Sequence, residues 1–442
     1  MSQAAFHFPR GFLWGTATAA HQVEGNNLNN NWAAWENIPG KIAHGQKAGL
    51  ACDWWGGRWR EDFDRAANAG QNTHRLSIEW SRIQPAPDRW DESALDKYME
   101  ILRGLKERKM TAMVTLHHFT NPIWIEEKGG WENEATVAAF EKFTRKAVET
   151  LKEYVTQWCT VNEPNVYAVE GFVEGVFPPG KHDMSAMLRV LANLVRGHAA
   201  AYHAIHSIQP NAQVGIAAQY RSLSPGIPWS PVDQALAKMM SNFFNDSFTH
   251  ALVSGTLRTP MGSVRIPAAK NTQDFLGLNY YTRDYMTFDL RHANTLFSRR
   301  YFRPDAELSK NQFIANEPEG FFEAMKWAYG YKLPIVITEN GVEDPDDTFR
   351  PTYLAEHIHQ VWKAVNNNYP IQGYYHWSLV DNFEWERGWT QRFGLWEVDP
   401  ESQARRKRPS ADFYAEICRE NGLSSDMVAR YAPKLFSKLF PN

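Results

Sequence analysis

Eight short runs rich in β-branched and aromatic residues recur along this chain, most of them separated by longer stretches with helical periodicity. The runs cover 12–16, 73–79, 111–117, 155–162, 214–217, 275–280, 335–339 and 373–377. Between the second and third, Leu95, Met99, Leu102 and Leu105 repeat at helical spacing; after the third, Ala138, Phe143, Ala147, Leu151 and Tyr154 do the same. Further helices are predicted over about 187–207, 232–252, 319–329, 353–367 and 410–421. Eight strands alternating with helices is the number that closes a (β/α)₈ barrel. An open doubly wound sheet usually stops at fewer strands and carries a glycine-rich phosphate loop, and neither GxGxxG nor GxxxxGK[ST] occurs here. The expected fold is therefore α/β, a TIM barrel with elaborated βα-loops. No low-complexity linker divides the chain, so one catalytic domain is expected over 1–442. The stretches 222–231 and 283–316 read as long loops on the face where barrels build their sites.

A net charge of -3 gives no footprint for nucleic acid or an anionic membrane, and Arg405-Arg406-Lys407-Arg408 reads as a short solvated loop. The first fifteen residues lack a basic region followed by an apolar stretch and a cleavage site. Three cysteines form no disulfide framework, which fits a reducing compartment. A cytoplasmic location is expected, with Asn245-Asp246-Ser247 never glycosylated. The 18 Trp, 17 Tyr and 25 Phe could serve the core or stack on sugar rings, and composition does not choose.

The chemistry is written at two strand ends. The fourth run finishes Cys159-Thr160-Val161-Asn162-Glu163-Pro164, and the seventh finishes Ile337-Thr338-Glu339-Asn340-Gly341. Strands four and seven of a barrel lie across its mouth, so Glu163 and Glu339 can face one bound group. Glycosidic cleavage needs such a pair: one carboxyl protonates the departing oxygen while the other attacks or activates water. Asn162 and Arg75 are candidates for positioning and charge tuning. His117 and His118, adjacent in a strand, point to opposite faces and make no chelate; no HExxH or cysteine cluster suggests a metal, and no GxSxG elbow suggests a serine nucleophile. No cofactor is expected. Cys159 and Tyr280 read as core.

Taken in order, several motifs resemble glycoside hydrolase family 1, the β-glucosidase and β-galactosidase family. They are Phe12 to Trp14 with Gln22-Val23-Glu24-Gly25, the run Arg75 to Ile83, Thr115 to Phe119, Thr160 to Pro164, Asn279-Tyr280-Tyr281, Ile337 to Gly341, Trp377-Ser378-Leu379 and Asp381 to Trp385. The resemblance implies a retaining, exo-acting β-glycosidase working by double displacement on terminal β-D-glucosyl residues, with β-fucoside and β-galactoside activity expected beside it. Glu339 resembles the family nucleophile and Glu163 the acid/base. Arg75 resembles the arginine that supports the nucleophile, Tyr281 the phenol beside it, and Asn279 a member of the same polar shell. Asn162 resembles the residue that contacts the 2-hydroxyl. Gln22, His118, Glu384 and Trp385 resemble the set that grips the other hydroxyls, and Trp377 the stacking platform.

Members acting on 6-phosphorylated sugars replace the pair Glu384-Trp385, so an unphosphorylated substrate is implied: a β-linked disaccharide, a short oligosaccharide or an aryl or alkyl β-glycoside. Two stretches depart from the pattern. Phe313 to Pro318 lacks the tryptophan that stacks on the leaving group, and Phe119-Thr120-Asn121-Pro122 lacks a tryptophan and an aspartate found in many members. A transglycosylase would use the same residues; an aldolase would want a strand-end lysine, and Lys332 precedes its strand instead. Glucose against galactose preference and oligomeric state stay open at this level.

Overall fold

All eight runs are strands, and they pair in chain order: β1 (Leu13–Ala17), β2 (Thr73–Ser77), β3 (Thr111–His117), β4 (Val155–Asn162), β5 (Gln213–Gln219), β6 (Phe275–Tyr280), β7 (Ile335–Asn340) and β8 (Ile371–Trp377). Every pairing is parallel, and β8 pairs with β1 to close the barrel. The structure, a computed structural model, describes residues 4–292, 295 and 297–441. Strands buried on both faces explain why the runs read as nearly continuous apolar segments rather than as alternation.

Helices α1 (Trp59–Asn68), α2 (Glu92–Glu107), α3 (Ala135–Leu151), α4 (Met184–Ile208), α5 (Ser247–Ser254), α6 (Pro318–Tyr329), α7 (Arg350–Asn366) and α8 (Pro409–Glu420) follow the strands in turn. Asp91 starts α2 by accepting from the backbone N–H groups of Ser93 and Ala94, and Asp183 starts α4 in the same way. In α3 the inward face is Phe140, Phe143, Ala147 and Leu151, whereas Ala138 is exposed. The first helix, α1, falls outside the patterns read from the sequence, although it buries Trp59, Phe63 and Ala66.

Three expectations need correction. The helix predicted over 232–252 is broken: Pro231–Ser241 runs into a π-turn at Asn242–Asp246 before α5 begins. That turn buries Asn245, whose side chain donates to the Arg221 carbonyl (2.9 Å) and accepts from its N–H (2.9 Å), so the triplet is structural. The stretches predicted as loops contain strands Ser222–Pro225, Arg283–Phe288 and Ser298–Tyr301, which form a separate three-stranded sheet; positions 293, 294 and 296 of the second stretch lie outside the described residues. Finally, the basic run is solvated only at Arg406 and Lys407. Arg405 pairs with Asp62 (3.1 Å) and Arg408 makes a two-armed pair with Asp381 (2.8 and 2.9 Å), all four side chains buried.

The ends of β7 and β8 approach closely just past Glu339. A Cβ added to Gly341 would lie 1.9 Å from the Trp377 carbonyl oxygen, so only glycine fits there. Gly341→Ala is therefore expected to cost about 1–3 kcal/mol through overpacking, read as a lower Tm, and to weaken activity by displacing Trp377. An unchanged Tm would contradict this packing.

Candidate active site

The carboxyl ends of the strands open into a cavity of about 1080 Å³ whose wall includes His118, Glu163, Tyr281, Glu339, Trp377 and Glu384. Glu163 follows β4 with φ of 43°, a left-handed conformation unusual for a residue with a side chain. Pro164 then starts a helix, Pro164–Phe172, as a first-turn proline does readily. The Glu163 N–H donates to the Ala217 carbonyl on β5 (2.7 Å), which holds the bend. Glu339 lies in β7 opposite Asn279 of β6, where the register of the two strands shifts.

A continuous polar chain joins the two carboxyls. Arg75, fully buried on β2, donates to Glu339 Oε1 (2.5 Å), to Asn162 Oδ1 (2.6 Å) and to Thr115 Oγ1 (3.1 Å). Tyr281 donates its hydroxyl to Glu339 Oε2 (2.6 Å), so both oxygens of Glu339 are held. On the other side, Asn279 donates to Glu163 Oε1 (2.8 Å), while its own carbonyl accepts from Thr338 Oγ1 (2.6 Å). The threonine fixes the amide orientation that presents the Asn279 NH₂ to Glu163.

Their surroundings treat the two glutamates differently. Burial, then the negative charge of Glu339, pushes the Glu163 carboxyl up to about 8. It can therefore hold a proton at neutrality beside a carboxylate gripped by a guanidinium and a phenol. One acid and one anion in a shared cavity is the division of labour that acid-assisted displacement requires.

Beside this pair lies a second set. Gln22 spends its NH₂ on Asn382 Oδ1 (3.0 Å), the Phe383 carbonyl (2.8 Å) and Glu384 Oε2 (3.3 Å). Its carbonyl oxygen is buried without a partner, and so is Nδ1 of His118. Burial and then Arg75 hold the His118 imidazole well below its ordinary pKa, hence neutral. Asn162 Nδ2 meets His118 Nε2 at 3.2 Å, which makes Nε2 the acceptor and places the proton on Nδ1. Beside the cavity there are thus one unpartnered acceptor and one unpartnered donor, the two roles that a hydroxyl group can meet. The rings of Trp377 and Trp385 lie nearly parallel to that of His118, with centres 6.1 and 6.0 Å away, and Trp385 rests against Trp32 at 4.7 Å. Glu384 is raised well above the ordinary carboxyl range, first by burial and then by Glu386, Glu339 and Glu163.

Every residue predicted for the site, Gln22, Arg75, His118, Asn162, Glu163, Asn279, Tyr281, Glu339, Trp377, Glu384 and Trp385, lies in this one network or on the cavity wall. His117 points the other way and packs edge-on against Trp131, and Tyr280 stacks on Phe321 in the core. Cys159 is buried too. Thr120 and Asn121 lie behind the cavity: Thr120 donates to Glu79 (2.8 Å), and Asn121 donates to Glu126 (2.6 Å). In the other departure, Phe313 faces the cavity with the Arg387 guanidinium 5.2 Å from its ring centre. The sequence reading missed Thr338, Glu170, Arg221 and Arg387. Thr338 stood inside a quoted motif; the others belong to connections whose folding no periodicity announces.

The family model described as "Glycosyl hydrolase family 1" matches residues 4–423. Beta-glucosidase A of Thermotoga maritima is 32% identical, over 94% of this chain and 98% of the relative. A beta-galactosidase of Sulfolobus acidocaldarius is 31% identical, over 95% and 96%. Among solved structures, a beta-glycosidase from Pyrococcus horikoshii superposes with a TM-score of 0.91 at 36% identity, covering 97% of this chain and 98% of that one. The beta-glucosidase from Thermotoga maritima in complex with glucoimidazole gives 0.88 at 31%, covering 95% and 100%.

The raised pKa of Glu163 has a thermodynamic consequence. Its contribution to folding stability is fully present below about pH 4.5, the ordinary carboxyl value, and is lost as the pH rises through about 8. Glu163→Gln cannot ionise, so its Tm relative to the parent is expected to increase from pH 5 to pH 9. A parent–variant difference equal at both pH values would contradict the shift.

Proposed function

The chain belongs to glycosyl hydrolase family 1 and is a retaining, exo-acting β-glycosidase, and from that premise we propose that Glu339 is its nucleophile and Glu163 its acid/base. The observation that carries the assignment is the asymmetry of the pair: a carboxylate held by Arg75 and Tyr281 beside a carboxyl raised to about 8. Glu339 attacks the anomeric carbon as Glu163 delivers its proton to the departing oxygen. The glycosidic bond breaks, the leaving group departs as an alcohol, and an ester joins the sugar to Glu339. Esterification removes the negative charge that helped to raise Glu163. Its pKa falls, and it becomes the base that deprotonates water for attack on the same carbon. Water then displaces Glu339, and two inversions leave the β-configuration intact.

In this reading the terminal sugar is gripped by Gln22, His118, Asn162, Asn279, Glu384 and Trp385 and stacks on Trp377. The orphaned Gln22 oxygen and His118 Nδ1 take one hydroxyl between them. Glu384 offers a phosphate a buried carboxyl in place of the cation it needs. Substrates are unphosphorylated β-linked disaccharides, short oligosaccharides or aryl and alkyl β-glycosides, with glucosides, galactosides and fucosides all accepted. We place the enzyme in the cytoplasm, which suits three free, buried cysteines. Among the described residues no helix is long and apolar enough to cross a membrane.

A matched panel of p-nitrophenyl glycosides tests this. Turnover of the β-glucoside, β-galactoside or β-fucoside is expected, with the α-glucoside and the β-glucoside 6-phosphate near background. Preference for the phosphate would sink the role of Glu384. Glu339→Gln should lose at least about 10³-fold in kcat, beyond the lower range of acid–base effects; retention of activity would remove Glu339 from the mechanism.

A further inference from the structure

Glu163, Val166 and Glu170 share one face of the helix that begins at Pro164, and that face lines the cavity from the proposed acid towards the mouth. Seven residues place Glu170 about 10 Å along the axis from Glu163. That is the reach of a substituent on the far side of a leaving-group ring. Glu170 faces the half of the cavity that the terminal sugar does not fill.

The charges in this half are mostly paired. Arg221 binds Asp284 (2.7 Å), Arg300 binds Glu174 (3.1 Å) and Arg387 binds Glu386 (2.9 Å). The Lys41 ammonium lies over the Trp35 ring at 4.3 Å. Glu170 alone among these carboxyls has no hydrogen-bond or ion-pair partner among the described residues, and it is half-buried in the cavity wall. In this half the wall carries four carboxyl side chains, Glu170, Glu174, Asp284 and Glu386, beside the four cations just named, and Glu170 is the carboxyl left without a partner. The cavity wall that carries Glu170 also includes the aromatic residues Phe244, Tyr301 and Phe302. Ring faces and a carboxylate without a cation of its own are the two elements that recognise an ammonium group.

We propose that the leaving-group half of the cavity selects β-glycosides whose leaving group carries a cationic amine, and that Glu170 reads the charge. The inference rests on the hydrolase reading above and names the leaving group that reading left open. Burial, followed by the charge of Glu386, pushes Glu170 up to about 7, and a bound ammonium stabilises the ionised form. A leaving group bearing a carboxylate in the same place meets Glu170 as a like charge.

The test is kcat/KM at pH 7.5 for 4-(aminomethyl)phenyl, 4-(hydroxymethyl)phenyl and 4-carboxyphenyl β-D-glucosides, whose leaving phenols are similar in acidity. The parent is expected to favour the aminomethyl over the carboxy compound by at least about tenfold, the equivalent of one modest charge contact. That ratio should narrow with added salt. Glu170→Gln should reduce it below about threefold, and Glu170→Ala, which removes the carboxyl without adding a polar group, should do the same if the first variant does not fold. A parent ratio near one, or a ratio that survives in the folded variants, would overturn the proposal. Failure to hydrolyse even the neutral hydroxymethyl compound would overturn the hydrolase reading beneath it, and so separates the two.

Discussion

The Arg75 guanidinium is the interaction on which the rest of the site depends. It lies fully buried and reaches Thr115 on β3, Asn162 on β4, and both the Thr338 carbonyl (3.4 Å) and Glu339 on β7. A buried cation is tolerable only when its donors are met, and removing one partner of such a pair typically costs about 3–5 kcal/mol. Because its partners come from strands on opposite sides of the barrel, closing the barrel and assembling the site are one event. Glu339 cannot drift without unpairing Arg75, and Asn162 cannot turn without releasing both Arg75 and Asn279.

Asn162 and Asn279 extend that order to Glu163. Thr338 fixes the Asn279 amide, Asn279 holds Glu163, and Asn162 sets the His118 tautomer. A handful of neutral groups therefore decides which way each donor points before any sugar enters. Such preorganisation is worth most in a cavity that excludes water, where dipoles act undamped. The leaving-group half is built otherwise, from charged pairs on connecting segments, and it discriminates by charge rather than by a fixed set of hydroxyl partners.

The barrel and the proposed catalytic pair were legible because both leave local marks. Each strand is a run of apolar residues, and Glu163 and Glu339 interrupt such runs at their ends, where a buried carboxyl has no structural excuse. Gln22, Glu384 and Trp385 were legible only as a resemblance, since nothing in their own neighbourhoods says that residues 22 and 384 meet. What stayed hidden has physical reasons. The helix over 232–252 keeps its apolar period through the π-turn, so the extra residue is invisible until Asn245 finds the Arg221 backbone. The strands at 222–225, 283–288 and 298–301 are polar because they form a sheet at the mouth rather than the barrel wall. Arg405 and Arg408 looked solvated because their partners Asp62 and Asp381 lie far away in sequence.

The claim that Glu339 attacks the sugar is tested most directly by trapping the intermediate. A 2-deoxy-2-fluoro-β-D-glucosyl fluoride carries a good leaving group, while its fluorine slows hydrolysis of the ester that forms. Mass spectrometry of the intact protein should show one added fluoroglucosyl unit, and fragmentation of a digest should place it on Glu339. A label on Glu163 would reverse the two roles, and active enzyme that turns over the compound without accumulating any adduct would contradict the covalent mechanism.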